Sequence, residues 1–208
     1  MVIGLVGKSC AGKNYVGDII KETGVEIWDL DEVAHDGLEA NADAIRKAFG
    51  DNVVTCKGKK VAVDRKAISA VVFSRPEKLR ELEGILYPWL EKKARAWIAD
   101  HPKDVLILNG ALLYRSGFNR MCDCVIYVDA PYEVRAKRAM ERDGITEEEF
   151  RKREASQADV DYRVVDYGVP VHVVHSGGDN DDVRRQVFNI CDKLGIVGNA
   201  KLTGRSSK

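Results

Sequence analysis

Gly7-Lys-Ser-Cys-Ala-Gly-Lys13-Asn14 carries the residue types and the spacing of a phosphate cradle. Gly7 and Gly12 let the backbone turn so that the amides of Lys8, Ser9, Cys10, Ala11, Gly12, Lys13 and Asn14 can point inward at an anion. The helix that should start here adds a partial positive charge. Lys13 is placed to reach the outer phosphates of a nucleotide. Asn14 stands where a Ser or Thr hydroxyl usually meets Mg²⁺. Its amide oxygen is also a hard ligand, with a different reach, so an altered Mg²⁺ site is expected at Asn14.

A second group of candidates is carboxylate. Asp29-Leu-Asp31-Glu32 follows a short apolar run, and Asp31 can take a proton from an attacking hydroxyl or orient a metal-bound water. It can equally cap a helix starting near Glu32, and spacing alone leaves the two readings level. His35 lies one helical turn further on and could face the same cleft, or stand as a partly exposed structural histidine. Arg138 and Arg142 share a helix face, with Arg135 nearby. Such arginines can spread the charge of a transferring phosphoryl group. They can also form a solvated face paired with Glu133 and Glu141. Arg153 and Gln157 repeat the four-residue spacing, and Arg65 could hold a substrate phosphate or cap charge.

These residues need a scaffold that gathers them at one end. Val2–Val6, Val25–Trp28, Asp104–Leu108, Cys124–Val128 and Val169–Val174 read as five strands. Helical patterns fill the gaps, so the expected fold is α/β, a five-stranded parallel sheet flanked by helices. In such sheets ligands sit at the C-terminal strand ends, where the loop and Asp29-Leu-Asp31 fall. Residues 1–63 and 104–196 form the expected core, with a lid at about 138–158 interrupted by Asp143-Gly144. Residues 64–103 form the expected helical, substrate-binding insertion. Ser74, Pro76 and Glu77 suggest a capping box there, and Pro88 should kink or break the long helix. A last helix carries Val183, Val187, Ile190 and Leu194 on one face, and residues 197–208 read as a flexible tail.

Composition narrows the class. The 208 residues hold 33 Lys plus Arg against 33 Asp plus Glu, which argues against a bulk nucleic-acid or membrane-surface binder. No apolar run approaches the roughly 20 residues of a membrane span. The N-terminus lacks the pattern of a secretion signal. Five scattered cysteines suit a reducing cytoplasm, and Cys122-x-Cys124 reads as buried thiols at a strand entrance.

Taken in order, the motifs resemble the dephospho-coenzyme A kinase family from about Ile3 to Leu194. The resemblance is carried by the phosphate loop, Asp29-Leu-Asp31 with Ala34-His35, and Asp64-Arg65. It continues through Val72-Phe73, Leu82-Glu-Gly-Ile-Leu-Tyr87-Pro88, Arg138 to Gly144, and Arg153 to Gln157. It implies a P-loop kinase fold and ATP-dependent phosphorylation of the ribose 3′-hydroxyl of dephospho-coenzyme A, with ATP and Mg²⁺ as cofactors. It assigns catalysis to Asp31, Lys13 and Arg138 and metal binding to Asn14 and Asp31. Nucleotide contacts fall to the loop with Arg142 and His175, and acceptor contacts to His35, Arg65, Tyr87 and Arg115. A monomer or weak homo-oligomer in the cytoplasm is expected. Departures stand at Lys8 and Cys10, where the family has loop glycines, and at Asn14 for Ser. Tyr87 replaces His, Arg115 replaces an acid, and His175-Ser-Gly177 replaces an Asp-Asn-Gly-like stretch. Tyr87 and Arg115 leave room for another small-molecule acceptor, or for a paralogue that binds nucleotide or coenzyme A with weak turnover.

Overall fold

The computed structural model describes residues 1–57, 60–73, 75–102, 104–111 and 113–196. The elements run β1 (Val2–Val6), α1 (Lys13–Lys21), β2 (Glu26–Asp29), α2 (Leu30–Ala40), α3 (Ala42–Phe49), β3 (Val54–Lys57) and β4 (Lys60–Val63). They continue as α4 (Arg65–Phe73), α5 (Pro76–Asp100), β5 (Leu106–Asn109), β6 (Cys124–Asp129), α6 (Tyr132–Asp143), α7 (Glu147–Ala155), β7 (Val171–His175) and α8 (Asn180–Lys193). Two compact units result: Leu30–Asp100, and the remainder on either side of it in sequence.

The flanking segments form a five-stranded sheet of order β2-β5-β1-β6-β7, and every pair in it is parallel. β1 sits at the centre, with Ile3 opposite Ile107 on one side and Cys124 on the other. All residues of β1 and β5 are buried. Helices on both faces explain why these strands are continuous apolar runs rather than alternating ones. α1 contributes Val16, Ile19 and Ile20 to the core, and α8 contributes Val183, Val187 and Ile190. Each such side chain stabilises the fold by about 1.5–3 kcal/mol. Cys122 and Cys124 are buried at the start of β6, and burial pushes the Cys122 thiol up to about 12. The strands lie one or two residues later than their sequence patterns suggest at β2, β5 and β7.

The helical stretch after β6 breaks where Asp143-Gly144 indicates. Gly144 adopts the left-handed conformation, φ 65°, that ends α6. Thr146 and Glu149 then form a capping box that opens α7.

In the Leu30–Asp100 unit, α5 presents Leu82, Leu86, Leu90 and Ala94 as a buried stripe at four-residue intervals. α2, α3 and α4 pack on α5, and the antiparallel hairpin β3–β4 packs on α2 and α3. This unit is wider than the 64–103 insertion expected from sequence, because α2 and α3 share its contacts. A Cβ on Gly37 of α2 would lie 3.1 Å from the Trp89 ring, so the missing side chain sets how closely α2 approaches α5.

One expectation is narrowed, and one element was not expected. α5 runs as one helix through Pro88, so of the kink or break expected from sequence the break does not occur. The proline removes one N–H in a 25-residue helix whose buried stripe continues on both sides of it. The hairpin at 54–63 is absent from the sequence reading, since four-residue strands give too short an alternation to register. The capping box expected at Ser74 and the tail at 197–208 lie outside the described residues.

Candidate active site

The phosphate loop joins β1 to α1, and its glycines are required by their surroundings. A Cβ on Gly7 would lie 2.5 Å from the Val128 carbonyl oxygen of β6. A Cβ on Gly12 would lie 2.5 Å from Ser176 Oγ, and Gly12 has φ 100°. Both positions therefore exclude a side chain. Cys10 is left-handed as well, φ 60°, alone in this among the non-glycine described residues. The Ala11 N–H donates to the Lys8 carbonyl at 3.1 Å, closing the turn. Among the described residues no side chain caps the start of α1, and no acid stands in its first turn, so its N–H groups keep their positive field. Lys13 Nζ lies across the loop, donating to the Gly7 carbonyl at 2.9 Å. Asn14 is exposed in the same first turn.

Arg138 folds from α6 onto this loop. Its guanidinium donates to the carbonyls of Cys10 at 3.3 Å, Ala11 at 3.4 Å and Ser176 at 2.7 Å. Ser176, at the end of β7, is buried and donates to the Ala11 carbonyl at 2.7 Å. Arg138, Arg142, Cys10, Gly12, Tyr15 and Ser176 line a cleft of about 460 Å³. At its rim Arg142 pairs with Asp143 at 2.7 Å. Asp143 also receives Arg153, at 2.5 Å, and the two arginines hold its carboxyl far below the usual carboxylate range.

Two other candidates lie elsewhere in this unit. His175 lines a neighbouring cleft of about 420 Å³ with Lys8, Tyr132 and Arg163. Its imidazole Nδ1 is 3.7 Å from Asp129 Oδ2. Arg115 forms a two-point pair with Asp159 at 2.6 and 2.9 Å and donates to the Ser156 carbonyl at 3.0 Å. Lys8 turns away from the loop toward α7, pairing with Glu154 at 2.8 Å and Asp161 at 3.2 Å.

The Leu30–Asp100 unit carries the remaining candidates. Asp31 and Glu32 are exposed in the first turn of α2, and His35 is exposed one turn later. α2 starts at Leu30, so Asp31 is inside the helix and is not the residue that caps it. Arg65 is exposed at the start of α4, where Asp64 Oδ1 accepts from the Lys66 and Ala67 amides at 3.0 Å. Tyr87 is half-buried in α5.

The sequence reading missed two features of the site. Asn109 closes β5 at its ligand end, 7% exposed, and its amide donates to Asp29 Oδ2 at 2.8 Å. Its Oδ1 is buried without a hydrogen-bond partner among the described residues. The available signal was a polar residue ending the aliphatic run Leu106–Leu108. Gln157 Oε1 accepts from the Ser9 amide at 2.8 Å, a contact that spacing could not reveal.

A phosphate loop leading from the central strand of a parallel sheet into a helix, with an arginine folded over it, defines a P-loop kinase. The dephospho-CoA kinase family model matches residues 1–168. A dephospho-CoA kinase from Fusobacterium nucleatum is 30% identical, over 93% of this chain and 98% of its own. A solved protein from Thermus thermophilus superposes with TM-score 0.77 at 26% identity, covering 93% of this chain and 97% of its own. Dephospho-CoA kinase from Campylobacter jejuni shares the fold, with TM-score 0.66 at 24% identity and coverage of 93% and 96%. The chain belongs to the dephospho-CoA kinase family.

Proposed function

We propose that this chain transfers the γ-phosphate of ATP to the ribose 3′-hydroxyl of dephospho-coenzyme A, the last step of coenzyme A synthesis. The observation that carries the reading is that Lys13 and Arg138 both lie against the loop at the uncapped start of α1. That arrangement neutralises a polyphosphate and stabilises the charge that spreads over a transferring phosphoryl group. Lys13 exchanges its Gly7 carbonyl for the outer phosphates of the nucleotide. Arg138 and Arg142 hold the nucleotide from the α6 side, and the α6–α7 arm serves as the lid that excludes water.

Asp31 accepts the proton of the attacking hydroxyl, in the first turn of α2, two residues past Asp29 along the chain. His35, Arg65, Tyr87 and Arg115 hold the acceptor, and His175 borders the nucleotide side. Two oxygen donors of the sheet unit suit a hard cation, the Asn14 amide and Asp29 held by Asn109, whose buried Oδ1 lacks a hydrogen-bond donor among the described residues, and the family resemblance adds Asp31 to them. When bound, Mg²⁺ would supply positive charge that offsets the charge of the outer phosphates. The reaction and the free thiols of Cys10, Cys122, Cys124 and Cys191 suit a reducing cytoplasm, as a monomer or weak homo-oligomer.

An assay of ADP release with dephospho-coenzyme A, ATP and Mg²⁺ tests this. Turnover should depend on dephospho-coenzyme A, and Asp31→Asn should lower kcat by about 10²–10⁴-fold while ATP affinity is kept. Full activity in Asp31→Asn would remove the base assignment. Faster turnover with another acceptor would reassign the substrate.

A further inference from the structure

Lys8 is a long cation in a loop whose cationic work is already done by Lys13. Its ammonium points at α7, 2.8 Å from Glu154 and 3.2 Å from Asp161. The three side chains are only 15–20% exposed, so solvent screens them weakly. Glu154 in turn receives Arg135 at 2.5 and 3.0 Å. Arg135 is buried against Phe150 and donates to the Ala130 carbonyl just past β6, at 2.9 Å. A chain of contacts therefore runs from the phosphate loop through α7 and α6 back to the sheet.

The next loop residue is held from the same helix and from the turn that follows it. The Ser9 amide donates to Gln157 at 2.8 Å, and Arg153 donates to Ser9 Oγ at 3.3 Å. Residues 153, 154 and 157 thus grip two successive loop residues. Burial pushes the Glu154 carboxyl up, but the bonds from Arg135 and Lys8 outweigh this and hold it below the usual range. It stays charged and able to hold Lys8.

We propose that Lys8 is a positioning residue, a latch that ties the phosphate loop to α7 and so fixes both the loop amides and the α6–α7 arm for nucleotide binding. It acts through Glu154 and Asp161 and not by touching phosphate. The latch rests on the proposed ATP chemistry only for its kinetic consequence. Its structural consequence stands apart from catalysis.

Lys8 is also the member that can be removed cleanly. Without it Glu154 keeps Arg135, and Asp161 keeps Arg163 at 3.2 Å and the Arg163 amide at 3.0 Å. Removing Glu154 by truncation would instead strand the buried Arg135, so its test variant is Glu154→Gln.

The experiment is hydrogen exchange on the full nucleotide-free chain, paired with steady-state ATP kinetics, for Lys8→Met, Lys8→Arg, Glu154→Gln and the double variant Lys8→Met/Glu154→Gln. Lys8→Met should speed exchange across 147–157 by about tenfold and raise KM for ATP by about five- to tenfold, with kcat within about twofold. Lys8→Arg should restore most of both. The double variant should be no worse than Lys8→Met alone. Unchanged exchange at 147–157 would overturn the latch. Additive KM losses in the double variant would also overturn it, since Lys8 would then act on the nucleotide directly. If no variant, nor the natural chain, releases ADP, the function fails while the exchange result still decides the latch.

Discussion

At the scale of single residues, the phosphate loop is shaped by three positions with quite different tolerance. Gly7 faces a backbone oxygen that cannot move aside, and Gly12 needs both space and a left-handed backbone. Cys10 adopts φ 60° with a side chain present, at a cost of roughly 1–2 kcal/mol. Cys10→Val should therefore lower stability by about a further 1–2 kcal/mol, because a branched Cβ fits that conformation worst, whereas Cys10→Gly should not lower it. Urea unfolding followed by circular dichroism would measure both. Much of this loop was legible in the sequence, since Gly7, Gly12 and Lys13 keep a spacing that only one kind of turn satisfies. Asn109, Ser176 and the Arg115–Asp159 pair were not legible. Each depends on partners at least 44 residues away, which no local pattern encodes.

At the scale of elements, the α6–α7 arm is held by ion pairs and a capping box more than by apolar burial. Its apolar cluster is small: Ala136, Ala139 and Phe150, with Cys10, Tyr132 and Ile145 against them. Asp143, Glu154 and Asp161 all titrate below their ordinary values because arginines, and Lys8 for the last two, hold the charged forms, in spite of burial at Glu154 and Asp161. A carboxylate depressed in the folded state stabilises it above the ordinary value and loses that contribution as pH falls through the folded one. Those ordinary values are 4.5 for Glu154 and 3.8 for Asp143 and Asp161. Protection of 147–157 should hold from neutral pH down to about 4.5 and fall away below it, earlier than that of the sheet. Pulsed exchange at stepped pH, corrected for intrinsic rates, would show it. Early loss near pH 6 would mean that other groups hold the arm. The break between α6 and α7 was readable from Asp143-Gly144. The continuation of α5 past Pro88 was legible only in part, since a proline inside a helix kinks or breaks it and the buried stripe on both sides decides against the break.

At the scale of the whole molecule, the sheet should be the last part to open. β1, β5 and β6 are buried almost throughout and each has a neighbour on both sides. Their amides should exchange slowest, approaching the global unfolding free energy, with the edge strands β2 and β7 faster. Mass-spectrometric exchange on peptides covering 2–6, 106–109 and 124–129 would test this, and faster exchange there than at β7 would contradict it. The five-stranded class was legible because both sheet faces are covered, which turns strands into solid apolar runs. Strand order was not legible, and it has its own consequence. β1 and β2 pair only with strands that begin at Leu106 or later. A ribosome adding about 5–20 residues per second leaves them unpartnered for about 4–20 s. Residues 30–100, most of them in a compact unit of their own, are all synthesised before the first of those partners is made. On the nascent chain the first strand, Val-Ile-Gly-Leu-Val, therefore waits through all of that synthesis as a bare apolar segment that a chaperone could bind.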